Sequence, residues 1–141
     1  MNIFLDSNVL VDWLLNRTAG FPHEASRIME ACESGQITGY VSAPSFYLVA
    51  YLLEKAGKKN PELRMLIENV LQMVIVTPQS NTQIKRGLEL GLTDTEDGFQ
   101  LAAAITISNC SYFVTANTKD FPADVKNLKV IHTRDFVSLL K

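Results

Sequence analysis

Short apolar runs of strand length alternate along this chain with segments whose apolar residues recur at helical spacing. Strand, helix and strand in repeated succession restrict the fold to an α/β layer structure, with a mostly parallel sheet and helices on both faces. Residues 2–5 (Asn-Ile-Phe-Leu) read as a buried strand. Residues 8–16 read as a helix through Val9, Leu10, Trp13 and Leu14. A second helix spans 21–34, with Ala25, Ile28, Met29 and Cys32 on one face and Gly35 as its stop. After a short strand at 38–41, Ser42 is expected to cap a helix over 43–56, with Pro44 in its first turn. Asn60-Pro61-Glu62 opens another helix, asparagine at the cap and proline first inside. Residues 73–76 form a strand closed by Pro78, and Ser80-x-x-Gln83 is a capping box for a helix to about Leu90. A helix over 94–108, strands at 112–115 and 128–131, and a helix over 133–140 complete the pattern. The expectation is one three-layer α/β/α domain, residues 1–141, around a mostly parallel central sheet of about five strands.

Bulk chemistry narrows the function classes. The chain is 47% hydrophobic and 20% charged, ordinary for a soluble globular protein. No apolar run approaches the ~20 residues of a membrane span, and Met1-Asn2-Ile3 lacks the layout of a signal peptide. Cys32 and Cys110 make neither a disulfide framework nor a zinc motif and read as reduced thiols, so a cytoplasmic location is expected. A net charge of -2 and a pI near 5.6 argue against a large nucleic-acid-wrapping surface, though not against a local basic patch. Lys55, Lys58, Lys59 and Arg64 are the densest basic stretch and read as a solvated helix end and loop. The 43–56 helix is apolar nearly all round, so it is either central or covered by a partner.

In parallel sheets ligands bind outside the carboxyl ends of the strands. Asp6 follows the first strand directly, and Asp120 lies in the loop after the strand ending at Thr115. Asp94 and Asp97, three apart at a helix start, share a face. Each acid has a structural alternative. Asp6 fits a helix cap, Thr93-x-x-Glu96 is a capping-box pattern, and Asn117 and Asp120 suit a turn. Gly98 and Ala102-Ala103-Ala104 are small enough to let that helix approach the sheet, bringing Asp97 to the strand ends. If strands one and four are neighbours, the acids converge. Clustered carboxylates repel unless they share cations, and Mg²⁺ or Mn²⁺ acting on phosphate esters is the simplest chemistry for them. His23 and His132 stand near no nucleophile signature and read as surface or structural.

Three segments carry a resemblance: Ile3-Phe4-Leu5-Asp6-Ser7-Asn8-Val9-Leu10, the run from Asp94 through Asp97 to Ala104, and the run from Phe113 through Thr115 to Phe121. In this order and spacing the chain resembles the PIN domain family, which includes the toxin ribonucleases of VapBC-type toxin–antitoxin pairs. The resemblance implies Mg²⁺- or Mn²⁺-dependent cleavage of RNA, a homodimer and a small antitoxin partner, with no membrane. Asp6 matches the first metal-binding aspartate, Asp97 the third acid, and Asn117 or Asp120 the fourth position. Asp94 is the candidate substitute for a missing acid, with Asn8 and Thr115 in support. That missing acid is the glutamate usual within the helix after the second strand. Here Leu48 occupies its place, and Glu54, six residues on, faces elsewhere. Two further readings stand beside this one. A PIN-fold module without catalysis would bind RNA or protein. A haloacid-dehalogenase-like phosphatase would use Asp6 as nucleophile, but Asn8 replaces its general acid and little chain remains for its acidic pair.

Overall fold

The computed structural model describes residues 1–141. In chain order it comprises β1 (Asn2–Leu5), α1 (Ser7–Leu15), α2 (Pro22–Glu33), β2 (Thr38–Ser42), α3 (Ser45–Lys55), α4 (Glu62–Met73) and β3 (Val74–Thr77). Then come α5 (Asn81–Glu89), α6 (Thr95–Ile105), β4 (Cys110–Thr115), a 3-10 turn (Thr118–Asp120), β5 (Asp124–Val125), β6 (Leu128–His132) and α7 (Thr133–Val137). The strands form one six-stranded sheet in the order β3-β2-β1-β4-β6-β5. Every pairing is parallel except that of β5 with β6. The extra strand is the two-residue β5, too short to leave a periodic signature.

Side chains alternate across β1. Ile3 and Leu5 enter the larger core with α1, α2, α3, α4 and α7, while Phe4 turns to the opposite face, toward α6. There Phe4 stacks on Phe113 at 5.4 Å between ring centroids, and Phe113 packs on Phe121 at 4.9 Å. Burying each such ring stabilises the fold by about 2–3 kcal/mol, so β1 and β4 are held together by both faces of the sheet.

Several local expectations are corrected. Ser42 ends β2 rather than capping α3, and Pro44 takes the cap position. Asn60 does not cap α4, which has Pro61 in that position without a side-chain bond. Gln83 does reach back to Ser80, with the Ser80 N–H donating to Gln83 Oε1 at 2.7 Å. Thr93 is not the cap of α6. Asp94 is, and its Oδ1 accepts from the Glu96 N–H at 2.9 Å. Gly98 meets α5 rather than the sheet: a Cβ on it would lie 2.6 Å from the Gly87 carbonyl oxygen. The sheet-facing role falls to Leu101, Ala103 and Ala104, which are fully buried in one cluster with Phe4 and Phe113. α6 stops at Ile105, where the Thr106 hydroxyl bonds back to the Ala103 carbonyl at 2.7 Å.

α3 is not apolar to its environment all round. Val49 and Leu53 are buried, whereas Tyr47 is 84% and Tyr51 58% exposed. The basic stretch is partly neutralised locally, by Lys58 with Glu62 at 3.6 Å and Arg64 with Glu68 at 2.7 Å. His132 caps α7, its Nδ1 accepting from the Arg134 N–H at 3.1 Å. Asp12, 1% exposed, was not singled out by the sequence pattern. It is bound by Arg17 at 2.6 Å and by the Phe21 N–H at 3.0 Å.

Candidate functional site

β1 and β4 are neighbours, with Leu5 opposite Val114, and the Asp6 N–H extends the ladder by donating to the Val114 carbonyl at 3.0 Å. The chain leaves β1 at Asp6 and turns at once into α1, because Asp6 is its N-cap: Oδ1 accepts from the Ser7 N–H at 2.8 Å. The other oxygen, Oδ2, accepts from the Thr115 hydroxyl at 2.9 Å and from Asn8 Nδ2 at 3.2 Å. Thr115 Oγ1 in turn accepts from Asn8 Nδ2 and from the Asn117 N–H, each at 3.1 Å. Asn8 Oδ1 closes the ring on the Ala116 N–H at 3.1 Å. Asn8, from α1, and Thr115, from β4, thus fix the rotamer of Asp6.

Asp6 is 4% exposed. Burial raises its carboxyl from the ordinary range to about 6, against the pull of the Thr115 and Ser7 hydrogen bonds and with a smaller push from Glu96. Asp97, on the first turn of α6, is half-buried. Its carboxyl is raised to about 7, first by burial and then by the charges of Asp6, Asp94, Asp120 and Glu96. Those four acids are therefore near enough to Asp97 for their charge to act on it. Asp94 spends one oxygen on capping α6. Asp120 lies in the 3-10 turn and accepts from Asn117 Nδ2 at 2.7 Å, so Asn117 orients Asp120 and belongs to the same loop.

Glu96 was read in the sequence only as half of a capping box. With Asp94 as the cap, its side chain is released toward the acids and toward a recess lined by Leu48 and Gln100. Leu48 therefore borders the acidic region, where an aligned glutamate would have stood. Beneath it, Ser42, Ser45 and Gln100 form a buried polar triangle: Ser42 Oγ donates to Gln100 Oε1 at 3.0 Å and Gln100 Nε2 donates to Ser45 Oγ at 2.8 Å. This triangle ties the start of α3 to α6 one turn after Asp97.

The donors available to a cation are hard carboxylate oxygens. No three Asp, Glu, His or Cys side chains stand close enough together to hold a metal ion between them. Carboxylate oxygens are the donor type that Mg²⁺ and Mn²⁺ take, and Mg²⁺ is usually held by one or two carboxylates while keeping several waters. Burial first, and then the repulsion of neighbouring carboxylates, raises Asp97, and a divalent cation would relieve the second of these; by donor chemistry Asp6 and Asp97 fit such an ion.

A family model described as a PIN domain matches residues 2–119. Among curated proteins none matches the chain. Eight chains of solved structures match it. One comes from VapBC2 of Rickettsia felis bound to a DNA fragment from their promoter. It has a TM-score of 0.68 and 19% identity, and the match covers 94% of this chain and 98% of that one. Another comes from a toxin–antitoxin complex from Klebsiella pneumoniae. Its TM-score is 0.64 and its identity 22%, covering 89% of this chain and 94% of that one. At these identities the likeness is one of fold.

Proposed function

Because this chain belongs to the PIN domain family, we propose that it is a divalent-metal-dependent ribonuclease that hydrolyses RNA phosphodiester bonds, as the toxin of a toxin–antitoxin pair. The observation that carries this reading is the meeting of Asp6 and Asp97 at the strand ends, with Asp97 pushed up to about 7 by burial and by its acidic neighbours. Metal-free, such a site stores repulsion that a cation and its phosphate ligand relieve together. The toxin assignment is supported by the fold shared with a VapBC2 chain and with a chain of a toxin–antitoxin complex. We extend it to one catalytic domain spanning 1–141, a homodimer, a small antitoxin as partner and a cytoplasmic setting. No helix is long and apolar enough to cross a membrane.

Asp6 and Asp97 would hold Mg²⁺ or Mn²⁺, with Asp94 and Asp120 directly or through water. When bound, the ion supplies acidity to a water and neutralises charge developing on the phosphate. The chain's own groups do the rest. Asn8 and Thr115 keep Asp6 in one rotamer, and Asn117 does the same for Asp120. Leu48 contributes no charge, so the carboxylates of α6 carry the share that α3 does not.

The test is Mn²⁺-dependent cleavage of a mixed RNA pool, with wild type beside Asp97→Asn and Mn²⁺ binding measured by calorimetry on both. The wild type should cleave, and Asp97→Asn should lose at least a hundredfold in rate with its fold intact. Mn²⁺ binding without cleavage by the wild type would instead make the chain a binding module. Absence of metal binding would reduce the acids to caps and turns.

A further inference from the structure

Beside the acids lies a recess of about 300 Å³ whose walls include Tyr47, Leu48, Ile84, Phe99, Glu96 and Gln100. We infer that it receives one unpaired nucleobase of the RNA, next to the phosphate held at the carboxylates. This rests on the reading of RNA as substrate.

Size is the first argument. The volume stands at the small end of ligand pockets, enough for a planar ring system and too small for a folded peptide element. Charge is the second. No lysine, arginine or histidine lines the recess, and its one charged group is Glu96. A phosphate or carboxylate entering it would meet only negative charge, so the part of a nucleotide that fits is the uncharged base. The third argument is the walls. Leu48, Ile84 and Phe99 are partly buried and apolar, while Tyr47 holds its ring 84% exposed beside them. An aromatic face and an apolar floor are the surfaces on which unstacked bases bind.

Continuity with the acids is the fourth. Glu96 lines the recess and its charge also reaches Asp6 and Asp97, while Gln100, one turn beyond Asp97, is locked by Ser42 and Ser45. Glu96, Phe99 and Gln100 of the recess and Asp97 of the acids are therefore set on the same helix, α6, at a fixed spacing. Leu48 acquires a positive role here. A carboxylate at that place would make the wall polar and anionic, whereas leucine leaves it able to pack a ring. Glu96, as an acceptor at the rim, selects bases that present N–H donors at that edge. Guanine, with its ring N–H and amino group, suits a carboxylate best, and uracil, without an amino group, less well.

The experiment measures binding of short labelled single-stranded RNAs by fluorescence anisotropy in Ca²⁺. The probes are an oligouridine, the same strand with one guanosine, and the same strand with one abasic position. The wild type should bind the guanosine strand about tenfold tighter than the abasic one. Tyr47→Ala should erase that difference, about the cost of one lost base–aromatic stack, and leave the abasic strand unchanged. Glu96→Gln should narrow the gap between guanosine and uridine. Tyr47 is on the surface of a helix, so its truncation leaves the core untouched. Equal loss of affinity for all strands, no loss in Tyr47→Ala, or no binding of any strand overturns the inference. A change of oligomeric state in Tyr47→Ala with RNA affinity unchanged would make the residue a protein contact and also overturn it. Adding Mn²⁺ to the same strands tests the ribonuclease reading separately: base-dependent binding without cleavage sinks the enzyme and keeps the pocket, and cleavage with base-independent binding does the reverse.

Discussion

Asp6 rises to about 6 through burial, and Asp97 to about 7 through burial and its acidic neighbours, so the folded chain holds protons that the unfolded chain releases near 3.8. Linkage gives the sign. Where the folded state binds more protons, stability falls as pH rises. The contribution is complete only well below pH 3.8, where both carboxyls are protonated in either state. It is lost as pH climbs through 6 for Asp6 and then 7 for Asp97. In chelator, the melting temperature should drop by about 5 °C between pH 5 and pH 8, what a loss of about 1–2 kcal/mol does to a chain of this size. Solvent at half-buried Asp97 reduces its share. Mn²⁺ should restore the loss at pH 8 and have little effect at pH 5, and Asp97→Asn should flatten the decline. A melting temperature in chelator that rises over this interval would contradict the electrostatics described. Asp6 and Asp97 were legible in the sequence because each sits at a strand end or helix start. Glu96 was not, because a capping-box pattern assigned its side chain to the backbone, and only the observed start of α6 at Thr95 frees it.

Among the elements, α5 and α6 meet through bare backbone. Gly98 touches the Gly87 carbonyl, and a Cβ on Gly87 would lie 2.7 Å from the Phe99 ring. Gly98→Ala must push the two helices apart, because backbone atoms on the other side cannot swing away. The expected cost is about 1–3 kcal/mol, read in urea unfolding, together with at least a tenfold fall in cleavage as Asp97 leaves its place. A variant with wild-type activity would show that α6 is positioned by the sheet alone. The sequence marked Gly98 as small but assigned its approach to the sheet, and it did not single out Gly87, since a glycine's neighbour is a matter of tertiary approach. Strand and helix order was legible because burial imposes periods of two and of three to four. The termini of α3 and α4 were not: Ser42 and Asn60 have the chemistry of caps, and tertiary placement sent Ser42 into the buried triangle with Ser45 and Gln100 instead.

Across the whole molecule the charge is slightly negative. RNA therefore cannot be gathered by a broad basic face. A protein that neutralises six to ten phosphates loses roughly 10³–10⁵ in affinity between 50 and 200 mM salt. Here the loss over the same interval, at constant Mn²⁺, should be about tenfold or less. A steep salt dependence would reveal a basic surface contributed by a second copy or another partner. Sheet order was legible only to the point that β1 and β4 must adjoin if the acids were to meet.

The sheet ends differently on its two sides. Beyond β6 it is finished by β5, two residues with the exposed charge of Asp124, while on the far side β3 ends the sheet with four residues and Ile75 half exposed. Short charged edges resist strand addition and longer apolar ones accept it. Counted as valences, the sheet would have one if only β3 took a strand. Two copies joined through β3 would each spend their single free border on the other, so growth by that route terminates at a pair and has no means of propagating into a fibre.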